Sequence, residues 1–150
     1  MLTGIHHLTF VVRDLDASVE RWCMLFGPVQ AFEQLPARNV RTARFAVGAT
    51  SVVLVQPIGS EGAPAQHLAT HGEGLLLMSL GVPDLDEARA ALAACGVASA
   101  GSERTGVQAW RVQDLDRAMF DGVQIQLCET AADASAAQTT PGCAGRDPPH

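Results

Sequence analysis

Two adjacent histidines, His6 and His7, stand near the start of the chain in an apolar stretch. An imidazole takes or gives a proton near neutral pH, donates a hydrogen bond, or ligates a metal. Strand alternation puts His7 on one face with Ile5, Thr9 and Val11 and turns His6 the other way. Gln56 ends a second apolar run. Gln124 and Gln126 alternate in a third, opposite Val123, Ile125 and Leu127. A buried amide left unpaired costs about 1–3 kcal/mol, so such glutamines belong in a polar, ligand-filled hollow or on a solvated face. Arg38, Arg41, Arg44 and Arg111 carry guanidinium forks suited to carboxylate or phosphate. Arg44, set between Ala43 and Phe45, is the expected anion contact. Thr9 and Ser79 offer hydroxyls, and Trp110 an aromatic wall for a site or a dimer contact. His67 and His71 stand four apart, as metal-binding pairs do, but without a suitably spaced third ligand; a surface or dimer-contact role is expected. Cys23, Cys95, Cys128 and Cys143 have no CxxC spacing and read as buried thiols plus one on a loose tail.

The elements that position these residues repeat. "GIHHLTFVVRDLD" at 4–16 returns as "GLLLMSLGVPDLD" at 74–86, an offset of 70. The same offset lays "VVLVQ" (52–56) on "GVQIQ" (122–126), pairing His7 with Leu77, Thr9 with Ser79 and Gln56 with Gln126. In each copy a strand (5–12, 75–82) runs into Asp-Leu-Asp, whose first aspartate is placed to cap a helix. Leu15, Val19, Trp22 and Leu25 or Phe26 recur at helical spacing, as do Leu85, Ala88, Leu92 and Cys95, with Gly27 and Gly96 closing the helices. Three shorter strands follow, at 28–34, 40–48 and 51–57, then at 97–102, 107–113 and 122–129. The chain therefore reads as α+β: a βαβββ module over 1–57, a linker with a short helix over 58–73, and a second module over 74–130. The stretch 131–150 lacks apolar periodicity and reads as a disordered tail.

The chain has 150 residues, a formal net charge of −6 and 47% hydrophobic residues, the profile of a soluble domain able to bury a core of its own. No apolar run is long enough to span a bilayer, and an acidic chain without a basic cluster is a poor partner for nucleic acid. No basic leader precedes the first strand, so a cytoplasmic location is expected.

Paired βαβββ units with ligand-type residues on their first and last strands resemble the vicinal oxygen chelate superfamily. That group holds glyoxalase I, extradiol dioxygenases, the fosfomycin and bleomycin resistance proteins and methylmalonyl-CoA epimerase. The resemblance spans about 1–130 and is strongest to the epimerases, through "HLTFVVRDLDASVERWCMLFG", "LVQPIGSEGAPAQHLATHGEGL" and "VPDLDEARAALAACGV". It implies one open, cupped mixed sheet of eight strands. It also implies a divalent metal held by one residue from the first and last strand of each copy, at His7, Gln56, Leu77 and Gln126. Leucine cannot ligate, and glutamine offers only a neutral oxygen, so His7, Gln56 and Gln126 form a degenerate set with a weakly bound metal or none. The two proton-transferring carboxylates that the resemblance implies fall on Gln126 and on or beside Ala37, with Glu33 too far upstream. The expected function is an isomerase- or lyase-like reaction on a small carboxylate, enolisable carbonyl or thioester. His7, Gln126 and Arg44 are the expected catalytic residues; Gln56, Leu77, Thr9, Ser79, Gln124 and Trp110 are expected to bind substrate. The alternative is a non-catalytic binder of the bleomycin-resistance type, and a metal-dependent epimerase or glyoxalase ranks below both. The partners expected are a small molecule and a second copy of the chain in a homodimer.

Overall fold

Each half of the chain is organised around its Asp-Leu-Asp. The Asp14 carboxylate accepts from the Ala17 N–H at 3.0 Å, and Asp84 accepts from the Glu87 N–H at 2.8 Å. Each thereby supplies an orphan donor of the helix that follows with a partner. The computed structural model describes residues 1–130, so the expected tail, with Cys143 and His150, lies outside the described residues. The elements are β1 (Gly4–Val11), α1 (Leu15–Phe26), β2 (Ala31–Leu35), β3 (Val40–Val47), β4 (Thr50–Pro57), α2 (Ala63–His71), β5 (Gly74–Val82), α3 (Leu85–Ala94), β6 (Ser99–Thr105), β7 (Arg111–Leu115) and β8 (Ile125–Glu129). Among the described residues no helix is long and apolar enough to cross a membrane.

The strands form one curled mixed sheet, in the order β2-β3-β4-β1-β5-β8-β7-β6. Within each half the first and last strands run parallel, β1 beside β4 and β5 beside β8. The halves meet along the antiparallel pair β1–β5, where His7 stands opposite Ser79 and Thr9 opposite Leu77. Alternation along the strands divides the side chains between two faces. One face carries Ala43, Phe45, Val52 and Leu54 under α1, and Leu80, Leu115 and Leu127 under α3. The other face is the hollow of the cup, whose first half is closed by Val11, Val40 and Val55 packed against Leu68 of α2.

The second half departs from the expected strand bounds, and the departure changes the repeat register. The expected strand at 107–113 begins only at Arg111, because residues 107–109 form a tight turn with Gln108 and Ala109 at φ 53° and 57°. The expected strand at 122–129 begins only at Ile125, after a turn over Arg117–Phe120 capped by Asp116. The helix starts fix the true equivalence. Leu15 donates its N–H to Gln56 Oε1 at 2.9 Å, and Leu85 donates its N–H to Glu129 Oε2 at 2.9 Å. The helix starts lie 70 apart and their acceptors 73 apart, so the second half carries three extra residues before its last strand. Gln56 corresponds to Glu129, and Gln126 corresponds to Val53.

Candidate functional site

The register sets His7, Thr9, Val53, Leu77, Ser79 and Gln126 on the hollow face of the four central strands, all of them buried. His7 is the polar centre, with 5% of its surface exposed. His6 joins it, against the expectation from alternation. The β1–β5 pairing steps from Ile5–Leu80 to His7–Ser79, which leaves His6 as an extra residue in a bulge. A bulge breaks the period of two and re-aims a side chain. The two rings therefore meet, Nδ1 to Nδ1 at 2.9 Å, one donating to the other. Trp110 stacks on His7, with ring centres 4.8 Å apart, and meets His6 edge-on at 4.5 Å. Burial, then the neighbouring His6 and Arg38, push the His7 pKa down to about 3, against a hydrogen bond with Gln126 that favours the charged ring. His7 is thus a neutral imidazole at physiological pH, with Nδ1 against His6 and the ring also hydrogen-bonded to Gln126.

Gln126 belongs to a polar chain that sequence reasoning missed. Its amide donates to Asp114 Oδ1 at 3.0 Å, and the other oxygen of Asp114 pairs with Arg104. Asp114 faces the hollow because it stands opposite Gln126 across β7–β8. The signal was a lone carboxylate in "RVQDL", legible only once the strand is placed at 111–115 rather than 107–113. Arg38 enters from the turn before β3 and lines the cavity beside His7, and it makes none of the ion pairs among the described residues. Thr42, on the hollow face of β3, is buried against the same cavity.

Other expected site residues lie elsewhere. Gln56 faces the helix side and caps α1, so it is not in the hollow. Arg44 is on the hollow face of β3 beside His6, with its Nε buried and unpartnered, but Arg38 rather than Arg44 lines the cavity. Arg41 and Arg111 lie on the helix side, where Arg41 pairs with Asp16 of α1 and Arg111 with Glu103 and Glu129. Gln124 lies in the loop before β8, on an outer groove, and the Ser79 hydroxyl is buried without a partner. Ala37 is exposed in its turn, outside the cavity. Glu33 reaches across the cup instead, accepting from the Gln108 backbone N–H at 3.0 Å and so tethering the turn that carries Trp110.

The hollow has two adjoining parts. An inner cavity of about 40 Å³ lies among His7, Thr9, Thr42, Val53, Leu77 and Gln126. Arg38, Pro64, Leu76 and Leu77 also border an outer groove of about 530 Å³ that runs past His67, His71, Arg104, Asp114 and Arg117. The four equivalent positions around the inner cavity are His7, Val53, Leu77 and Gln126: one imidazole, one amide and two aliphatic groups. That donor set does not fit a hard divalent cation, which needs several oxygens and favours carboxylates.

The profile described as Glyoxalase/Bleomycin resistance protein/Dioxygenase superfamily matches residues 6–113. Among solved structures, methylmalonyl-CoA epimerase from Mycobacterium tuberculosis is 28% identical over 87% of this chain and 89% of its own, with a TM-score of 0.81. A variant of the Streptomyces coelicolor methylmalonyl-CoA epimerase, in complex with 2-nitronate-propionyl-CoA, is 30% identical over 88% of this chain and 100% of its own, also at 0.81. A hypothetical protein from Bacillus halodurans C-125 shares the fold at 21% identity, 88% and 97% coverage and a TM-score of 0.82. No curated protein matches the chain.

Proposed function

Because the chain belongs to the glyoxalase/bleomycin resistance protein/dioxygenase superfamily, we propose that it is an isomerase-type enzyme acting on a small acyl group carried as a thioester. The observation that carries this reading is the two-part hollow. The inner cavity of about 40 Å³ admits only a few heavy atoms, and it shares Arg38, Pro64, Leu76 and Leu77 with a groove of about 530 Å³ lined by Arg38, Arg104 and Arg117 together with Asp114 and Asp116. A short acyl group on a long anionic carrier has that shape and charge, and solved epimerase neighbours hold acyl-CoA ligands.

In this proposal the neutral His7 exchanges its bond to Gln126 for one from Nε2 to the thioester carbonyl, stabilising the enolate oxygen as charge develops. The Asp114 carboxylate takes the α-proton, while Gln126 and Arg104 fix its orientation. The electron pair of the broken C–H bond moves to the carbonyl oxygen. Water delivers a proton to the opposite face of the enolate α-carbon while Asp114 passes its own to solvent, which completes the isomerisation. Arg38 holds a carboxylate or the carrier's charge. No step passes through a metal.

Proton exchange tests this directly. In deuterated water the protein should exchange the α-proton of a short acyl-CoA, and His7→Ala and Asp114→Asn should each lose about 10²-fold or more in rate. A ligand bound equally by wild type and both variants, without exchange, would establish the sequestering alternative, which the aliphatic Val53 and Leu77 also favour. The proposal includes a homodimer, supported by exposed Met24, Leu25 and Phe32 on one half of the molecule.

A further inference from the structure

We propose that His6, His7 and Cys128 form a binding site for a thiophilic cation of the zinc class, on the hollow face beside the inner cavity. The ligand atoms of these three residues all lie within 4.8 Å of one another. His7 and Cys128 are buried and His6 is half-buried, which gives the ion a route in from the His6 side. The site shares His7 with the four positions around the inner cavity, and its other two ligands, His6 and Cys128, lie outside that set. It also goes beyond the proposed reaction, which uses neither His6 nor Cys128.

Three observations support it. The bulge in β1 between Ile5 and His7 brings the His6 ring onto His7. The thiol of Cys128 is otherwise poorly used, its contact being a 3.8 Å approach to the Glu129 carbonyl. The donor chemistry is that of a borderline-soft ion, since two imidazoles and a sulfur suit zinc and exclude magnesium or calcium. Two nitrogens bound tetrahedrally at zinc lie roughly 3.3 Å apart, so the Nδ1 pair at 2.9 Å needs only a small rotation to admit the ion. Arg44 lies close enough to bear on His6 and opposes a cation, which sets the affinity below that of a four-donor structural site. Binding at Nδ1 leaves the hydrogen of His7 on Nε2, the tautomer the proposed reaction requires. That last consequence rests on the proposed function; the site does not.

Cobalt(II) titration of the full chain under reducing conditions tests the site without any substrate. One equivalent should bind, with the near-ultraviolet absorption of a thiolate–cobalt bond. Cys128→Ser should abolish that absorption. His6→Gln should weaken binding roughly tenfold or more. A triple Cys23→Ser, Cys95→Ser, Cys143→Ser variant should keep both. The proposal is overturned if the absorption survives in Cys128→Ser, vanishes in the triple variant, or fails to appear at millimolar cobalt. Should Cys128→Ser not fold, His6→Gln decides alone, and unchanged affinity there overturns the site.

Discussion

A glutamine's face, rather than its presence, decides whether it binds a ligand or holds a helix. Gln56 and Gln126 look interchangeable in "VVLVQ" and "GVQIQ", yet one caps α1 and the other joins His7 to Asp114. Gln56→Ala should therefore cost about 1 kcal/mol of stability, by losing the acceptor for the Leu15 N–H, and leave ligand affinity unchanged in a binding titration. His7 makes an independent prediction about acid. Its pKa is lowered from 6.5 to about 3 in the fold, so above pH 6.5 the ring is neutral folded or unfolded and contributes no slope. Below 6.5 the unfolded chain takes up a proton that the fold refuses, and stability should fall by up to about 1.4 kcal/mol per pH unit down to about pH 3. Denaturant titrations of His7→Asn across that range should show a shallower slope. A slope equal to wild type would contradict the buried neutral ring. His6 was the residue least legible in advance. Alternation is a statement about regular strands, and nothing in "GIHHLTF" announces the bulge that suspends it.

Among elements, the helices and the first strand of each half were legible, because Asp14 and Asp84 carry cap chemistry in their own side chains. The late strands of the second half were not. Their starts are set by two turns, at Val107–Ala109 and Arg117–Phe120, which depend on tertiary contacts such as the bond the Gln108 N–H donates to Glu33. Three residues gained there move the last strand out of the register that matching glutamines seemed to establish. Glu33→Ala should free the turn from its tether, and with it the positive φ of Gln108 and the stacking of Trp110 on His7. The expected outcome is altered tryptophan emission and faster ligand release, with little change in melting temperature. The β1–β5 junction makes a contrasting prediction. A Cβ at Gly81 would stand 2.3 Å from the Thr3 hydroxyl oxygen and 3.0 Å from a Thr130 methyl. Gly81→Ala should destabilise the fold by about 1–3 kcal/mol, and adding Thr3→Ala should recover part of that loss in thermal unfolding.

On the scale of the whole molecule, the α+β class, the duplication and the cupped sheet follow from patterns repeated along the chain, so a local error in one strand does not disturb them. The site is less legible because it is the place where the two halves stop being copies. His7 in the first half corresponds to Leu77 in the second, and Val53 to Gln126. Exposed Met24, Leu25 and Phe32 lead to an expected dimer, which sedimentation velocity would report as a concentration-dependent shift abolished by Leu25→Glu. The antiparallel seam between β1 and β5 has a consequence of its own. His7 opposite Ser79 and Thr9 opposite Leu77 make the join nearly self-complementary. Severing the chain within 58–73 would give two fragments, each with a raw rim able to zip onto its own twin, and only the mixed pairing would restore a hollow with both the imidazole and its relay to Asp114.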